Sequence, residues 1–244
     1  MASALVAFAA LAAIATAPSA SVDRHVAEAP FDTIVLSGVG HIVIIQGPRR
    51  DVILSGPRAA LDALMIDVVD QKLYIGHKKG FALAPAATIT VTEPAIKSVS
   101  IDGAGDLRAD TIREPDFSVS IRGVGTARIG DAELGHGKFA VGGSGTITID
   151  QIEASDLTLA ISGTGKAVAA GTAETLTVSL SGAGRVDTSA LDATSAVLSL
   201  SGSGSIHARA SGDATVNTIG SGTVRVEGQP RCTVTPNARN VTCG

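Results

Sequence analysis

The tetrapeptides SGTG (162–165), SGAG (181–184) and SGSG (201–204) belong to a series with nearly constant spacing. The first glycines of all the Gly-X-Gly sequences in the series are Gly103, Gly123, Gly143, Gly163, Gly182, Gly202 and Gly220. They are separated by 20, 20, 20, 19, 20 and 18 residues. A repeat of this length is typical of a solenoid, in which each repeat forms one coil and contacts only its neighbours.

Apolar residues flank each Gly-X-Gly at every second position. Two and four residues before the first glycine, and four residues after it, stand Val, Ile, Leu, Phe or Ala, with Thr218 as the one polar exception. Period-two alternation predicts strands with one buried face, so each repeat is expected to hold two short strands. The third side of each coil, for example residues 114–117 and 173–176, is less regular and is predicted to be the variable side.

The repeat predicts an all-β fold, a single-stranded parallel β-helix of about 20 residues per coil over residues 96–228. Twenty residues are too few for a coil that contains a full helix, and no helical periodicity is present. Each inward Val, Leu or Ile would stabilise the stack by roughly 2 kcal/mol. Seven coils at about 4.8 Å each would extend for about 34 Å.

Residues 31–95 are also rich in strand patterns but lack the period, so they predict an irregular N-terminal β cap. Within it, residues 57–65 could form a short helix, and Asp70-Gln71 a tight hairpin loop. SGVG (37–40) is similar to an early copy of the repeat turn, and GFALAPAA (80–87) is predicted to be a loop.

The chain ends carry signs of export. Residues 1–21 have no charged side chain and resemble a secretory signal peptide with cleavage near Ala20 or Ser21, a membrane anchor being the less favoured alternative. Cys232 and Cys243 predict a disulfide in a hairpin over residues 229–244, against two free thiols in a reducing compartment. The expected location is the periplasm or the cell surface.

Composition argues against several ligand classes. The formal net charge is -4, and the 244 residues include five Phe, one Tyr and no Trp. Nucleic-acid binding usually needs clustered Lys and Arg and often aromatic faces on which bases stack, so no nucleic acid is expected. A dinucleotide loop needs a third glycine and a following helix, whereas each Gly-X-Gly here precedes a strand, so no nucleotide is expected.

No metal or other cofactor is predicted. Residues 142–146 match the first five positions of a calcium-binding GGxGxD repeat, but Ile147 stands where the Asp ligand is needed. Asp106 is the only carboxylate among the residues three positions after each first glycine. Calcium requires several converging oxygen atoms, so a lone carboxylate is not a site.

The outward position five residues after each first glycine holds Arg108, Arg128, Thr148, Val168, Asp187, His207 and Arg225. Arg108 and Arg128 are expected one coil apart on one face, as solvated surface or as contacts for an anionic polymer. Asp102 and Arg122 could pair across coils, which would contribute about 0–1 kcal/mol. The five histidines do not cluster in the sequence, and no catalytic residues are predicted.

Four stretches together resemble a known family: FDTIVLSGVGHIVIIQG (31–47), DVILSG (51–56), LDALMIDVVDQKLYIGH (61–77) and PAIKSVSIDGAGDLRAD (94–110). They are similar to the bacterial putative autotransporter adhesin head GIN domain, and the resemblance extends over residues 31–228. It implies a right-handed β-helix and an envelope or surface location, and it implies no catalytic residues.

The sequence therefore favours a non-enzymatic envelope protein, a β-helical scaffold that contacts a polysaccharide, a protein or another envelope component. Two alternatives stay open: a polysaccharide-active β-helix enzyme, and a structural domain that self-associates into a homo-oligomer. An enzyme would need clustered carboxylates or an Arg or Lys base in a groove, which one sequence does not establish.

Overall fold

The computed structural model describes residues 21–26, 29–78, 87–235 and 240–244 of the chain. The predicted signal peptide, apart from residue 21, and the predicted loop at 80–87, apart from residue 87, lie outside the described residues. None of the helical residues in the described ranges forms a helix long and apolar enough to span a membrane.

The N-terminal elements are β1 (Ser21–Val26), β2 (Thr33–Gln46), β3 (Asp51–Pro57), α1 (Arg58–Ala63), β4 (Leu64–Val69), β5 (Lys72–His77) and β6 (Thr88–Glu93). The elements of the repeat are β7 (Ser98–Gly123), β8 (Thr126–Gly143), β9 (Thr146–Gly163), β10 (Lys166–Gly182), β11 (Arg185–Gly202), β12 (Ser205–Gly220) and β13 (Thr223–Glu227). The C-terminal elements are β14 (Arg231–Val234) and β15 (Val241–Cys243).

The repeats form a β-solenoid of about seven turns with about 20 residues per turn, which confirms the predicted fold class. Strands β7 to β13 follow one another in parallel, so each coil hydrogen-bonds to the coil before it and the coil after it. The coil differs from the prediction of two short strands. It is one long bent strand that is interrupted only at the Gly-X-Gly turn.

Inward-pointing residues of successive coils stack into apolar ladders. Val119, Phe139 and Leu159 are in register on β7, β8 and β9, and each is 1% exposed. The rings of Phe117 and Phe139 meet edge to face at 6.2 Å between centroids. Because every coil contributes to the same ladders, the core is continuous along the axis.

The first glycine of each Gly-X-Gly turn has a φ angle between +117° and +140°. A Cβ atom at this glycine would lie 2.2–2.6 Å from the carbonyl oxygen of the equivalent glycine one coil earlier. Positive φ and this close backbone approach both require glycine. The period in the sequence therefore records a steric requirement of the stacked corner.

The variable side absorbs the coils that are shorter than 20 residues. The register between β9 and β10 shifts between Ala169 and Gly171, and the register between β11 and β12 shifts between Thr188 and Asp192. The two faces that flank the Gly-X-Gly turn keep their register. The predicted variable side is thus the side on which residues are lost.

The solenoid begins earlier than the period indicates. Strand β2 pairs in parallel with β7, and Gly38 stands opposite Gly103, so SGVG (37–40) is a copy of the repeat turn as predicted. Residues 47–97 are inserted between this coil and the next. The insertion breaks the period, which is why spacing alone places the first coil at residue 96.

The insertion covers the outer edge of the first coil. Strands β5 and β6 both pair in parallel with β2, and β3 joins β6 to β1 in antiparallel fashion. Helix α1 lies within the predicted range 57–65, and Asp70 and Gln71 form the predicted hairpin loop with φ angles of 49° and 61°. An edge that would otherwise offer free hydrogen-bonding groups to another chain is thereby paired.

The side chain of Gln46 connects the insertion to the second coil. Its Nε2 donates to the carbonyl oxygens of Pro94 (3.1 Å) and Arg113 (3.0 Å) and to Glu114 Oε1 (2.8 Å). Its Oε1 accepts from the Arg113 amide at 2.7 Å. One amide side chain thus holds the place where the chain returns to the coil.

The C-terminal segment is not the predicted hairpin. Strand β14 pairs in parallel with β12, and β15 pairs in parallel with β13, so both strands extend the stack. The free edge of the last coil offers backbone groups that these strands satisfy. The predicted disulfide between Cys232 and Cys243 is present, with 6.5 Å between the Cα atoms.

Replacing Gly143 with Ala is expected to lower the free energy of unfolding by about 2–4 kcal/mol, because the added Cβ meets the Gly123 carbonyl oxygen and φ is positive. Gly142 is the matched control, since a Cβ there lies 3.9 Å from its nearest neighbour. Urea denaturation of G143A and G142A checks both values. Equal stability of the two variants would contradict the steric role of the corner glycine.

The double variant C232S/C243S is expected to lower the free energy of unfolding by about 2–3 kcal/mol, because the disulfide restricts the unfolded segment. The loss should concentrate in β14 and β15, which depend on the bridge to stay on the stack. Amide hydrogen exchange of the variant measures it, and reduced wild-type protein provides the reference. Unchanged protection of these strands would show that the bridge is dispensable.

Candidate functional site

A groove of about 570 Å³ follows the Gly-X-Gly corners of four coils, and we refer to it as the corner groove. Its lining residues are Thr164, Gly165, Lys166, Ala183, Gly184, Arg185, Ser203, Gly204, Ser205, Ser221, Gly222 and Thr223. The glycines form its floor because no larger residue fits the corner. Hydroxyl groups and two cationic side chains are the polar groups that project into it.

The backbone amides at these corners are committed to neighbouring coils. The amides of Lys166, Arg185 and Ser205 donate to the carbonyl oxygens of the preceding coil at 2.9–3.0 Å. An anion-binding nest needs amides that point at the ligand. The Gly-X-Gly sequences are therefore turns, as predicted, and any ligand of this groove would be bound by side chains.

Lys166 and Arg185 are direct neighbours on the ladder three residues after each first glycine. The other members of this ladder in the repeat are Asp106, Thr126, Thr146, Ser205 and Thr223. Among the residues that the structure describes, no carboxylate lies within 4.0 Å of either cation. Like charges on adjacent strands are unfavourable, so this pair costs the fold stability.

Arg108 and Arg128, the surface contacts predicted from the sequence, are in register one coil apart on one face. Each has an acidic partner. Arg108 Nε lies 3.0 Å from Asp110, and an Arg128 guanidinium nitrogen lies 2.8 Å from Asp150. Their positive charges are therefore largely balanced within the protein, unlike those of Lys166 and Arg185.

The predicted ion pair between Asp102 and Arg122 is present at 3.1 Å. Both side chains are exposed, so the pair contributes little to stability. It illustrates a general feature of the outward ladders, in which a charge on one coil faces an opposite charge on the next. Arg113 with Glu133 and Asp213 with Arg231 follow the same rule at 3.2 Å and 2.9 Å.

The last members of the predicted outward ladder form a charged network. His207 Nε2 lies 2.9 Å from Glu227 Oε1, and Arg225 Nε donates to the same oxygen at 3.0 Å. These two hydrogen bonds hold the pKa of the Glu227 carboxyl below its ordinary value, against burial, which raises it. The network supplies one ladder with alternating charge up to the last coil.

Asp187 lies on the preceding coil of this network. Burial raises the pKa of its carboxyl, but hydrogen bonds from the Ser189 hydroxyl (2.7 Å) and amide (3.3 Å), with the charges of His207 and Lys166, hold it below its ordinary value. The carboxylate is thus directed towards Ser189. Its Oδ1 is 3.9 Å from His207 Nδ1.

The remaining histidines and Asp106 do not assemble a reactive centre. His25, His41 and His136 each pair with a different aspartate, at 3.2, 3.0 and 2.9 Å. Asp106, the lone carboxylate of its ladder, is engaged by His41 and by the Thr126 hydroxyl. No group of three or more His, Cys, Asp or Glu within the described ranges could hold a metal ion.

A second groove of about 720 Å³ lies on the variable side, and we refer to it as the acidic groove. Its carboxylates come from successive coils: Glu114, Glu133, Glu153, Glu174 and Asp192. Arg113, at one end, is the only cation that lines it, and it pairs with Glu133. Sequence analysis missed this groove because the period weakens on this side, so the register of these residues is visible only in the structure.

A family model described as "Putative auto-transporter adhesin, head GIN domain" matches residues 30–230 of the chain. Among curated proteins, none matches.

Three solved structures share the fold. A putative lipid binding protein from Parabacteroides distasonis ATCC 8503 is 18% identical, with a TM-score of 0.79, and the match covers 91% of this chain and 94% of that one. A putative adhesin from the same organism is 16% identical, with a TM-score of 0.83 and coverage of 93% and 95%. A putative adhesin from Parabacteroides merdae ATCC 43184 is 14% identical, with a TM-score of 0.79 and coverage of 91% and 93%.

The double variant D187N/E227Q is expected to flatten the acid dependence of stability. Both carboxyls have a lowered pKa in the folded protein, so their contribution is full above the unfolded-state pKa and is lost as pH falls through the folded-state pKa. For wild type, urea unfolding should become easier from about pH 5 to pH 2. A smaller decrease is expected for the variant.

Asp32 should leave a residual slope in that variant, because its hydrogen bond with Lys97 also lowers the pKa of its carboxyl. The same urea series on D32N/D187N/E227Q should flatten the curve further. Identical slopes for wild type and the double variant would show that the network on the last coils adds no stability.

Proposed function

We propose that this chain, which belongs to the family of putative auto-transporter adhesins with a head GIN domain, is a non-enzymatic binding scaffold of the cell envelope or surface. The family description supports an exported, adhesin-like protein. The fold supports it as well, since similar solenoids carry names of adhesins.

The observation that carries the proposal is the register of the outward side chains. Successive coils place equivalent residues side by side at one strand spacing, about 4.8 Å, over the whole length of the stack. Such a surface offers a row of contacts to an extended partner, and the continuous apolar core keeps the row fixed. Extended partners include a polysaccharide, a protein strand or another component of the envelope.

Arg108 and Arg128 are the first contacts that we propose on this surface. They face solvent, with 67% and 63% of their side chains exposed. Their bonds to Asp110 and Asp150 reduce what they can add, because an anionic ligand would compete with these carboxylates. Binding through them would therefore be weak unless many groups of one polymer act together.

A polysaccharide-active enzyme is the second candidate, and the acidic groove is the observation that favours it. Its carboxylates stand on successive coils in an open cleft, where paired carboxylates could serve as acid and base. A test for released reducing ends with neutral and anionic polysaccharides distinguishes this candidate. Release that disappears in E133Q/E153Q would replace the scaffold proposal with an enzymatic one.

Binding of the purified chain to arrays of glycans and of extracellular-matrix proteins tests the scaffold proposal. We expect binding to at least one extended polymer, and a decrease of about two- to fivefold for R108Q/R128Q, since each exposed ionic contact contributes little. R122Q removes a comparable exposed cation on another ladder and serves as the control. Absence of binding, together with a mass that rises with concentration, would favour a self-associating structural domain instead.

A further inference from the structure

We propose that Lys166 and Arg185 form a binding site for the carboxylate or sulfate groups of an anionic polysaccharide that lies along the corner groove. This inference rests on the proposed scaffold function and names the ligand class and the residues that would recognise it. The argument begins with the one cationic pair of the outward ladders that the described part of the chain leaves without an acidic partner.

The two cations occupy positions where the fold does not need them. The equivalent residue is Thr in the two coils before Lys166, and Ser and Thr in the two coils after Arg185. Hydroxyl residues satisfy this corner without charge repulsion. Local features that oppose stability are concentrated at functional sites, which is the reason to assign this pair a ligand.

The surrounding charges leave the pair open. Asp187, two residues after Arg185 in the chain, is the neighbouring acid on the same face. Its carboxylate accepts hydrogen bonds from Ser189, and its closest cationic neighbour within ion-pair distance is His207. The ammonium group and the guanidinium group are both exposed to solvent and line the groove.

The geometry of the pair fits a polymer with regularly repeated anionic groups. In-register residues on adjacent coils stand about 4.8 Å apart, close to the length of one sugar ring in an extended chain. Lys166 can meet one anionic group as a point charge, and the planar guanidinium of Arg185 can bind the next in a bidentate manner. The hydroxyls of Thr164, Ser203 and Ser205 line the same groove and can hydrogen-bond sugar hydroxyls.

The groove disfavours a nucleic acid as the anionic polymer. None of its lining residues is aromatic, so bases would find no surface on which to stack. The backbone amides, which often bind phosphate groups, are used between coils. An anionic sugar polymer needs neither feature.

The acidic groove also restricts where such a polymer can bind. It is lined by none of the residues of the corner groove, and its carboxylates would repel a polyanion. The same polymer is therefore expected at one corner of the coil and not at the other. Lys166 and Arg185 thus confer both attraction and orientation.

The test is isothermal titration of the full chain with polygalacturonate, with heparin and with neutral dextran, at low salt. The variant K166T/R185T carries at these positions the residue that neighbouring coils already have, so it should unfold at no lower urea concentration than wild type. We expect its affinity for the preferred anionic polymer to be at least about tenfold weaker. Polygalacturonate and heparin separate carboxylate from sulfate as the recognised group.

The matched control is K72T/K138T, which removes two exposed lysines outside the corner groove. Lys138 already faces Thr158 on the next coil. Unchanged affinity of the control together with loss in K166T/R185T supports the site. Equal loss in both variants would overturn it in favour of unspecific charge attraction.

Three other outcomes would also overturn the site. K166T/R185T that binds as well as wild type would remove the site and leave the scaffold function intact. Tighter binding of single-stranded DNA than of either anionic polysaccharide would assign the pair to a different ligand class. Wild type that binds neither anionic polysaccharide would reject the site, and the array experiment would then decide the scaffold function separately.

Discussion

The close approach of backbone at the Gly-X-Gly corner is the constraint on which the rest of the structure depends. The carbonyl oxygen of one corner glycine occupies the space where a Cβ of the next would stand. With this contact made, each coil lies directly on its predecessor, and the strands on both sides of the corner stay in register. The apolar ladders and the outward ladders are consequences of that register.

Register also determines the electrostatics of the surface. In a stack of parallel coils, each side chain faces the equivalent side chain of its neighbour, so a charged repeat position would repel itself. This chain mostly places opposite charges on successive coils, as at Asp102 and Arg122, or balances each cation within its own coil or the next, as at Arg108 and Arg128. Lys166 and Arg185 depart from this pattern, and the departure gives the corner groove its proposed ligand.

Much of the fold could be predicted because glycine and the apolar positions are constrained one by one. The turn at 37–40, the helix at α1 and the hairpin at Asp70-Gln71 were also accessible, since each depends on neighbouring residues. The C-terminal hairpin was wrong for the opposite reason. Whether β14 and β15 pair with each other or with the last coil depends on free edges that only the folded stack provides.

The candidate sites divide in the same way. By itself, the sequence determined the period, the inward ladders and the disulfide partners, because sterics and burial act on each repeat locally. It also placed Arg108 and Arg128 side by side. Only the tertiary structure decided which charges are balanced, since the partners of an ion pair come from different coils, and which carboxylates meet on the variable side, where the register shifts. The corner groove and the acidic groove therefore emerge from stacking, although every residue in them is present in the repeat.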